Sequence, residues 1–281
     1  MAAYLCKGSR LNRSDNRSRQ GRQWMVFKPG NMNRQNKTRV GAVSYLNTKP
    51  LIYGFEQGMM NNEIELLIDY PARIATLLQQ DKIDVGLVPV AIIPHLKEPH
   101  IITGYCIGAE GPVASVCLFS EVPLEQIEQV LLDYQSRTSV ALARILLKDH
   151  WKITPQLTAA QADFRDHIHG TTAGVVIGDR ALEQRGQSAY VYDFGEAWKA
   201  HTGLPFVFAA WISNKPLDED FIRSFSEANK YGLDRIDEVV AKYPYPVYDL
   251  KKYYTQHISY ELTDSKREGL ALFLEKLREH I

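Results

Sequence analysis

The chain has 281 residues, of which 45% are hydrophobic and 23% charged, and its formal net charge is zero. This composition is typical of a globular protein with a sizeable core, and no apolar run approaches the roughly 18 residues that a transmembrane helix needs. The three cysteines (Cys6, Cys106 and Cys117) form no CxxC pair and no metal-binding spacing, which indicates a reducing compartment and no metal site.

The first 37 residues differ from the rest of the chain. Residues 1–39 contain ten Lys or Arg and a single acid, Asp15, so the remainder is acidic and offers no general basic face for nucleic acid. The segment lacks the apolar core of a secretory signal and any periodic apolar pattern, which predicts a disordered basic N-terminal extension over residues 1–37. Two alternatives are an arm that binds RNA or targets an organelle, and an upstream start codon with Met25 or Met32 as the true first residue.

Apolar runs alternate with helical patterns from residue 39 onward. Strands are predicted at residues 39–43, 65–70 and 84–89. Helices are predicted to begin at Pro50 and Pro71, because the first turn of a helix does not need the N–H group that proline lacks. The alternation of strands and helices predicts a parallel sheet.

The second half of the chain continues the alternation. Further strands are predicted at residues 101–107, 113–119, 173–177 and 206–212, and helices at residues 137–150, from 179, from 217 and from about 264. The runs 113–119 and 206–212 are interpreted as two strands that cross between lobes at a hinge, with a ligand in the cleft. Lobe 1 is then predicted to comprise residues 38–116 and 208–281, and lobe 2 residues 117–207.

Polar side chains follow several predicted strands, at the sheet edge where α/β proteins bind ligands. Ser44, Asn47 and Thr48 precede the first helix, where hydroxyl, amide and free N–H groups suit a carboxylate. Capping of that helix by Asn47 or Thr48 is the alternative. Ser115 interrupts an apolar strand and faces either a ligand or a partner within the protein.

Two more polar segments precede helices. Residues 136–139 supply three hydroxyl groups and an arginine, more than one cap requires, which favours anion binding over a capped helix with a surface arginine. At the end of another strand, Gly178 permits close approach of the backbone to a ligand. Asp179 is either the N-cap of the next helix or a functional carboxylate.

The motifs of several enzyme classes do not occur in this sequence. It contains no GxSxG, P-loop, GxGxxG or HExxH segment. Cys106 and Cys117 lie in apolar strand contexts that raise the pKa of a thiol, which argues against a cysteine nucleophile. The candidate cleft contains Ser, Thr, Asn and Arg but no evident strong base.

Six segments together resemble one known family. They are VGAVSYLNTKPLIYG, DVGLVPVA, GPVASVCLFS, DYQSRTSVALARILL, VVIGDRAL and YDFGEAWKAHTGLPFVFAAW, in the family's order. Over residues 39–281 the chain resembles the chorismate dehydratases of the futalosine route to menaquinone. A sister family, which makes 1,4-dihydroxy-6-naphthoate, opens with a SPCPNDT-like segment where this chain has SYLNTKP.

This resemblance implies an α/β protein with a two-lobed, type II periplasmic-binding-protein-like fold and a ligand cleft between the lobes. It implies a carbon–oxygen lyase that converts chorismate to 3-[(1-carboxyvinyl)oxy]benzoate and water without a cofactor or metal. We expect a cytoplasmic protein that binds this small dianionic substrate and neither nucleic acid nor a membrane. A homodimer is one alternative for its oligomeric state.

The resemblance also implies which residues surround the ligand. Catalytic roles fall to Asn47, Ser115 and Asp179, and the substrate-binding residues are Ser44, Tyr45, Arg137, Thr138, Ser139 and Gly178. With no obvious base, the enolpyruvyl carboxylate of the substrate takes the ring proton, and Asp179 as general acid or base is the competing assignment. Two alternative functions are a solute-binding protein that does no chemistry and the sister naphthoate-forming enzyme.

Overall fold

The computed structural model describes residues 37–161 and 163–279. The N-terminal extension predicted for residues 1–37 lies outside them, apart from Lys37. The strands are β1 (Thr38–Val43), β2 (Ile64–Asp69), β3 (Val85–Pro89), β4 (His100–Ala109), β5 (Val116–Ser120), β6 (Gln129–Leu132), β7 (Gln156–Ala159), β8 (Thr172–Ile177), β9 (Tyr190–Asp193), β10 (Phe206–Ser213) and β11 (Ser259–Glu261). The helices are α1 (Lys49–Glu56), α2 (Pro71–Gln79), α3 (Arg137–Ile145), α4 (Asp179–Gln184), α5 (Phe194–Thr202), α6 (Glu219–Leu233), α7 (Ile236–Lys242), α8 (Leu250–Lys252) and α9 (Asp264–Glu279).

Six strands form the first sheet, in the order β11-β4-β10-β3-β1-β2. Strand β1 pairs in parallel with β2 and β3, as the alternating pattern predicts. Strands β10 and β11 are antiparallel to their neighbours, so the sheet is mixed rather than parallel. The sequence pattern missed this because both strands return to the sheet after a long excursion of the chain, and a local alternation says nothing about their direction.

Five strands form the second sheet, in the order β7-β6-β8-β5-β9. Neither strand that was expected to cross the hinge spans both sheets, because β5 pairs only with β8 and β9, and β10 only with β3 and β4. The chain passes between the sheets at residues 110–115 and again at residues 194–205. The predicted lobe boundaries, at residues 116/117 and 207/208, fall inside β5 and β10, within one to three residues of these crossings. We propose that each sheet provides one lobe and that the boundaries lie in the two crossing segments.

A buried carboxylate explains why β5 begins three residues later than the apolar run predicts. Asp193 accepts hydrogen bonds from the backbone N–H groups of Val113 at 2.9 Å and Ala114 at 2.7 Å. Ala114 has a left-handed φ of 63°, which ends the extended conformation there. Asp193 also caps α5 through the N–H group of Gly195. The loop that carries Ser115 is therefore held in a fixed conformation.

The first sheet is backed by an aromatic core. Phe206 packs edge-to-face with Phe273 at 5.0 Å between ring centroids, and Trp211 does the same with Phe225 at 4.9 Å. Such pairs add roughly 1 kcal/mol beyond the burial of their apolar area. No helix within residues 37–161 or 163–279 is long and apolar enough to cross a membrane.

Candidate functional site

Two loops that lie far apart in the sequence meet between the sheets. The backbone N–H group of Leu46, after β1, donates to Oδ1 of Asp179, after β8, at 3.0 Å. Beside this bond, Gly178 adopts φ 64° and ψ −146°, and a Cβ atom there would lie 2.8 Å from the ring of Tyr45. Only glycine permits this backbone conformation and this contact together.

Asn47 is almost fully buried and faces the interior of this junction. Its Oδ1 accepts a hydrogen bond from the hydroxyl of Thr48 at 3.3 Å, and its backbone carbonyl accepts one from the hydroxyl of Tyr260 at 2.9 Å. Neither Asn47 nor Thr48 caps α1 with its side chain, so the capping interpretation is wrong. Pro50 in the first turn of α1 reduces the number of N–H groups that need a cap.

Ser115 is completely buried and is joined to Asn47 through a tyrosine. The hydroxyl of Tyr253 donates to Oγ of Ser115 at 2.6 Å, and the Asn47 side chain is a neighbour of the same hydroxyl. Burial raises the pKa of Tyr253 well above its ordinary value, so it stays protonated and remains a donor. The Ser115 hydroxyl donates to the Val113 carbonyl, with 3.5 Å between the two oxygens. This hydrogen bond is long and weak, so a ligand oxygen can replace the carbonyl as acceptor.

Asp179 titrates close to neutral pH. Burial raises the pKa of its carboxyl to about 6, and the hydrogen bond from the Leu46 N–H group opposes the rise. The N-cap of α4 is Gly178, and the Asp179 side chain makes no capping bond, so that interpretation is wrong. A carboxyl with this pKa can hold or release a proton during a reaction near neutral pH.

The segment before α3 makes most of its hydrogen bonds within the protein. Ser136 caps the helix by accepting from the Ser139 N–H group at 3.1 Å, and its hydroxyl also donates to Oγ of Ser139 at 3.0 Å. Oγ1 of Thr138 accepts from the backbone N–H group of Ala91 at 3.1 Å. This bond joins α3, which follows β6 of the second sheet, to the segment that follows β3 of the first sheet. The alternative of a capped helix is therefore confirmed, and the substrate-binding roles of Thr138 and Ser139 stay predictions.

Two predicted binding residues lie apart from the group around Asn47 and Ser115. The exposed Arg137 side chain donates to Oε1 of Gln79 at 2.7 Å and to Oγ1 of Thr76 at 3.3 Å. Ser44 is also exposed, and its N–H group pairs with the Asp69 carbonyl at 3.0 Å. Their roles in binding the substrate stay predictions, and Tyr45, Asn47, Ser115, Gly178 and Asp179 form the candidate site.

Sequence reasoning missed a tyrosine-rich segment that forms one wall of this site. Of the 15 tyrosines in the chain, six fall within residues 243–260, and this density was the available signal. Tyr253 and Tyr260 contact Ser115 and Asn47 as described, and the hydroxyl of Tyr245 donates to the Asp179 carbonyl at 3.2 Å. The segment provides neutral hydroxyl donors, because burial raises the pKa of each of these three tyrosines.

Arg180 is the second residue that was not predicted. Its Nη2 donates to both carboxylate oxygens of the buried Asp133, at 2.7 and 2.9 Å. Tyr45 is a close neighbour of the guanidinium, and its hydroxyl donates to Oε1 of Gln135. A fixed positive charge therefore lies beside the candidate site.

Cysteine and metal chemistry find no support in the described part of the chain. Burial raises the pKa of the Cys106 thiol to about 12 and that of Cys117 well above its ordinary value, so neither forms a thiolate near neutral pH. No group of three or more His, Cys, Asp or Glu side chains with the arrangement of a metal site occurs in residues 37–161 and 163–279.

Comparison with known proteins identifies relatives of this chain. A family described as menaquinone biosynthesis matches residues 38–279. A curated protein from Thermus thermophilus named chorismate dehydratase is 26% identical over 263 residues, which cover 85% of this chain and 94% of the relative.

Solved structures establish the fold class. A protein from Archaeoglobus fulgidus superposes with a TM-score of 0.71 at 13% identity, over 88% of this chain and 98% of that one. A Candida albicans protein described as having the generic periplasmic binding protein fold superposes with a TM-score of 0.54 at 14% identity, over 87% of this chain and 95% of that one. The predicted two-lobed, periplasmic-binding-protein-like fold is confirmed.

Proposed function

The chain belongs to the menaquinone biosynthesis family that matches residues 38–279, and from this premise we propose that it is a chorismate dehydratase. The reaction converts chorismate to 3-[(1-carboxyvinyl)oxy]benzoate and water, and the enzyme is a carbon–oxygen lyase. The curated relative from Thermus thermophilus that carries this name covers most of both chains, which supports the assignment.

The observation that carries the proposal is the link from Asn47 to Ser115 through the hydroxyl of Tyr253. Two polar groups on separate elements are held in a buried site by a neutral donor. Such a site can orient a polar ligand through fixed donors, and burial strengthens the electrostatic interactions that these donors make. It provides positioned hydrogen bonds rather than a strong base, and the proposed reaction needs little more, because aromatisation of the ring supplies the driving force.

The proposed reaction begins at the ring carbon that bears the enolpyruvyl ether. The enolpyruvyl carboxylate of the substrate takes the proton from this carbon, and the electron pair of the C–H bond becomes a ring double bond. This double bond forms to the neighbouring carbon as the bond from that carbon to its hydroxyl group breaks, and the hydroxide leaves as water after taking a proton. Asn47 and Ser115 orient the enolpyruvyl carboxylate and the leaving hydroxyl, so that the reactive conformer is held in place.

Asp179 is the proposed source of the proton that the leaving hydroxyl takes. Its pKa of about 6 leaves a fraction of the carboxyl groups protonated near neutral pH, and a bound carboxylate would raise that fraction further. In its charged form Asp179 instead acts as a base for the ring proton, which is the competing role. The pH dependence of turnover separates the two, because an acid loses activity as pH rises and a base loses it as pH falls.

Incubation of the purified protein with chorismate, without added metal or cofactor, tests the proposal. We expect ultraviolet absorbance and product mass to show loss of one water and formation of the substituted benzoate. Asn47→Ala and Ser115→Ala should lower kcat by about 100-fold or more if these groups orient the reacting atoms. Full turnover by both variants would remove them from the mechanism.

Binding without chemistry is a second candidate function, because the fold is that of a periplasmic binding protein. In this case chorismate would bind but would be recovered unchanged after long incubation. Neither binding nor turnover of chorismate would direct the search to the substrate of the naphthoate-forming sister family.

A further inference from the structure

Arg180 is held in place by the buried carboxylate of Asp133. The Asp133 side chain is fully buried, and each of its oxygens accepts one bond from Nη2 of Arg180 and one from a backbone N–H group. These N–H groups belong to Gln135, at 2.9 Å, and to Ile177, at 3.2 Å. All four bonds fix the carboxylate, and the carboxylate in turn fixes the orientation of the planar guanidinium.

Two of the three guanidinium nitrogens of Arg180 lack a hydrogen-bond partner within the described part of the chain, although the Tyr45 side chain also interacts with the guanidinium. Nε and Nη1 are buried and have no hydrogen-bond partner among the described residues. Together they carry three N–H donors. Leaving donors of a charged group buried and unsatisfied costs more than a neutral hydrogen bond contributes, so such donors in a folded protein indicate a missing acceptor.

The surroundings of Arg180 define the acceptor. The ring of Tyr134 lies 5.5 Å from the guanidinium carbon, and Tyr45 lies beside it and in contact with Gly178. Asp179 is the residue directly before Arg180, so Arg180 adjoins the junction that carries Asn47 and Ser115. Nε and Nη1 lie in the plane of one guanidinium, and a carboxylate is the acceptor whose two oxygens match such a planar pair of donors.

We propose that Nε and Nη1 of Arg180 bind one carboxylate of the substrate. This inference rests on the proposed function, and it names the cation that would recognise one end of the dianionic ligand. Arg180 thereby takes the role that the sequence pattern gives to Arg137, whose guanidinium is exposed and bonded to Gln79 and Thr76. Asp133 acts as a positioning residue for Arg180.

The test compares two ligands, three proteins and one control variant by isothermal titration calorimetry. The ligands are the reaction product 3-[(1-carboxyvinyl)oxy]benzoate and its dimethyl ester, in which both carboxylates are neutral. The proteins are the unmodified chain, Arg180→Lys and Arg180→Gln. Arg223→Gln is the matched control, because Arg223 is an exposed arginine paired with Asp220 on α6.

We expect Arg180→Gln to weaken binding of the diacid by about 30-fold or more and Arg180→Lys to weaken it less, because lysine keeps the charge but not the planar donors. Binding of the dimethyl ester should change by less than about threefold, and Arg223→Gln should bind both ligands like the unmodified chain. Equal losses for the diacid and the ester would mean that Arg180 only maintains the fold, and this would overturn the inference.

The lysine variant keeps the test decisive if Arg180→Gln fails to fold without a cation beside Asp133. If the unmodified protein turns over chorismate but Arg180→Lys binds the diacid with unchanged affinity, the proposed role of Arg180 is wrong and the proposed function still stands. Neither turnover of chorismate nor binding of the product by the unmodified chain would overturn both.

Discussion

The hydroxyl of Tyr253 donates a hydrogen bond to Oγ of Ser115 at 2.6 Å, and both side chains are completely buried. The two residues are 138 positions apart, and Tyr253 begins a π-helical turn that ends at His257. Because tyrosine occupies one lone pair of the serine oxygen, the serine proton is directed elsewhere. Ser115 is thus prepared to donate to a ligand rather than to act as a nucleophile, for which it would need a base.

Tyr253→Phe is expected to lower turnover of chorismate more than it lowers affinity. Without the hydroxyl, Ser115 rotates freely and Asn47 loses a neighbour, so the reactive conformer is held less well. We expect kcat to fall by about 10- to 100-fold, with a KM change below about threefold, and a stability loss of about 1 kcal/mol. Steady-state kinetics and thermal unfolding measure these quantities.

Tyr254→Phe is the matched control for the stability measurement. The Tyr254 hydroxyl is buried and has no hydrogen-bond partner among the residues that the structure describes. Its removal is expected to leave the unfolding temperature unchanged or raise it, because an unsatisfied buried hydroxyl is unfavourable. A Tyr253→Phe variant with unchanged kcat would show that the bond to Ser115 is only structural.

Local patterns predicted the elements of this fold well. The runs at residues 39–43, 65–70 and 84–89 correspond to β1, β2 and β3, and Pro71 begins α2. The family resemblance and the two-lobed fold class are confirmed as well, by the family match over residues 38–279 and by the solved structures. Strands and helices of this kind are specified by neighbouring residues and by the periodic spacing of apolar side chains, and both can be read directly from the sequence.

The site was harder to predict because its contacts join distant parts of the chain. Arg180 and its partner Asp133 are 47 positions apart, and Tyr253 lies 138 positions from Ser115. An arginine at the start of a helix looks the same in sequence whether it is buried or exposed. The structure distinguishes the two arginines by their partners: Arg180 has buried donors without a partner among the described residues, whereas the exposed Arg137 donates to Gln79 and Thr76.

Thr138→Val tests whether the segment before α3 binds substrate or joins the two sheets. Oγ1 of Thr138 accepts the Ala91 N–H group at 3.1 Å, and valine would leave that group unsatisfied. We expect a loss of 1–3 kcal/mol in the free energy of unfolding. Thr138→Ser keeps the hydroxyl and should be close to the unmodified protein. Urea unfolding and titration with the reaction product check both variants, and a weaker affinity for product at unchanged stability would support Thr138 as a ligand-binding residue.

Gly178→Ala is expected to destabilise the junction between the two loops. The new methyl group would lie 2.8 Å from the Tyr45 ring, and alanine at φ 64° is strained even without that contact. We expect a cost of about 1–3 kcal/mol. Adding Tyr45→Ala should remove the clash with the ring but not the backbone strain. The two substitutions should therefore show a coupling energy of about 1 kcal/mol or more in a double-mutant cycle. Strictly additive losses would mean that the ring moves away without cost.

Asp179→Asn is expected to stabilise the protein at high pH. The pKa of Asp179 is about 6 in the folded protein and about 3.9 in the unfolded chain, so the unfolded state ionises first as pH rises. The stability contributed by the protonated group is fully present below pH 4 and is lost between pH 4 and 6. Asparagine stays neutral, and its carbonyl can still accept the Leu46 N–H group. The variant should therefore gain up to about 3 kcal/mol over the unmodified chain at pH 8 and nothing at pH 3.5.

The same substitution separates stability from catalysis. If Asp179 donates the proton to the leaving hydroxyl, kcat of the unmodified protein falls as pH rises above about 6, and Asp179→Asn is slow at every pH. Glu196→Gln, an exposed substitution in the first turn of α5, should retain the pH profile of the unmodified protein. Chemical denaturation and initial rates measured from pH 4 to 9 give both curves. An Asp179→Asn variant that shows the stability gain but keeps full activity would leave Asp179 as a titrating link between two loops and assign the proton to another donor.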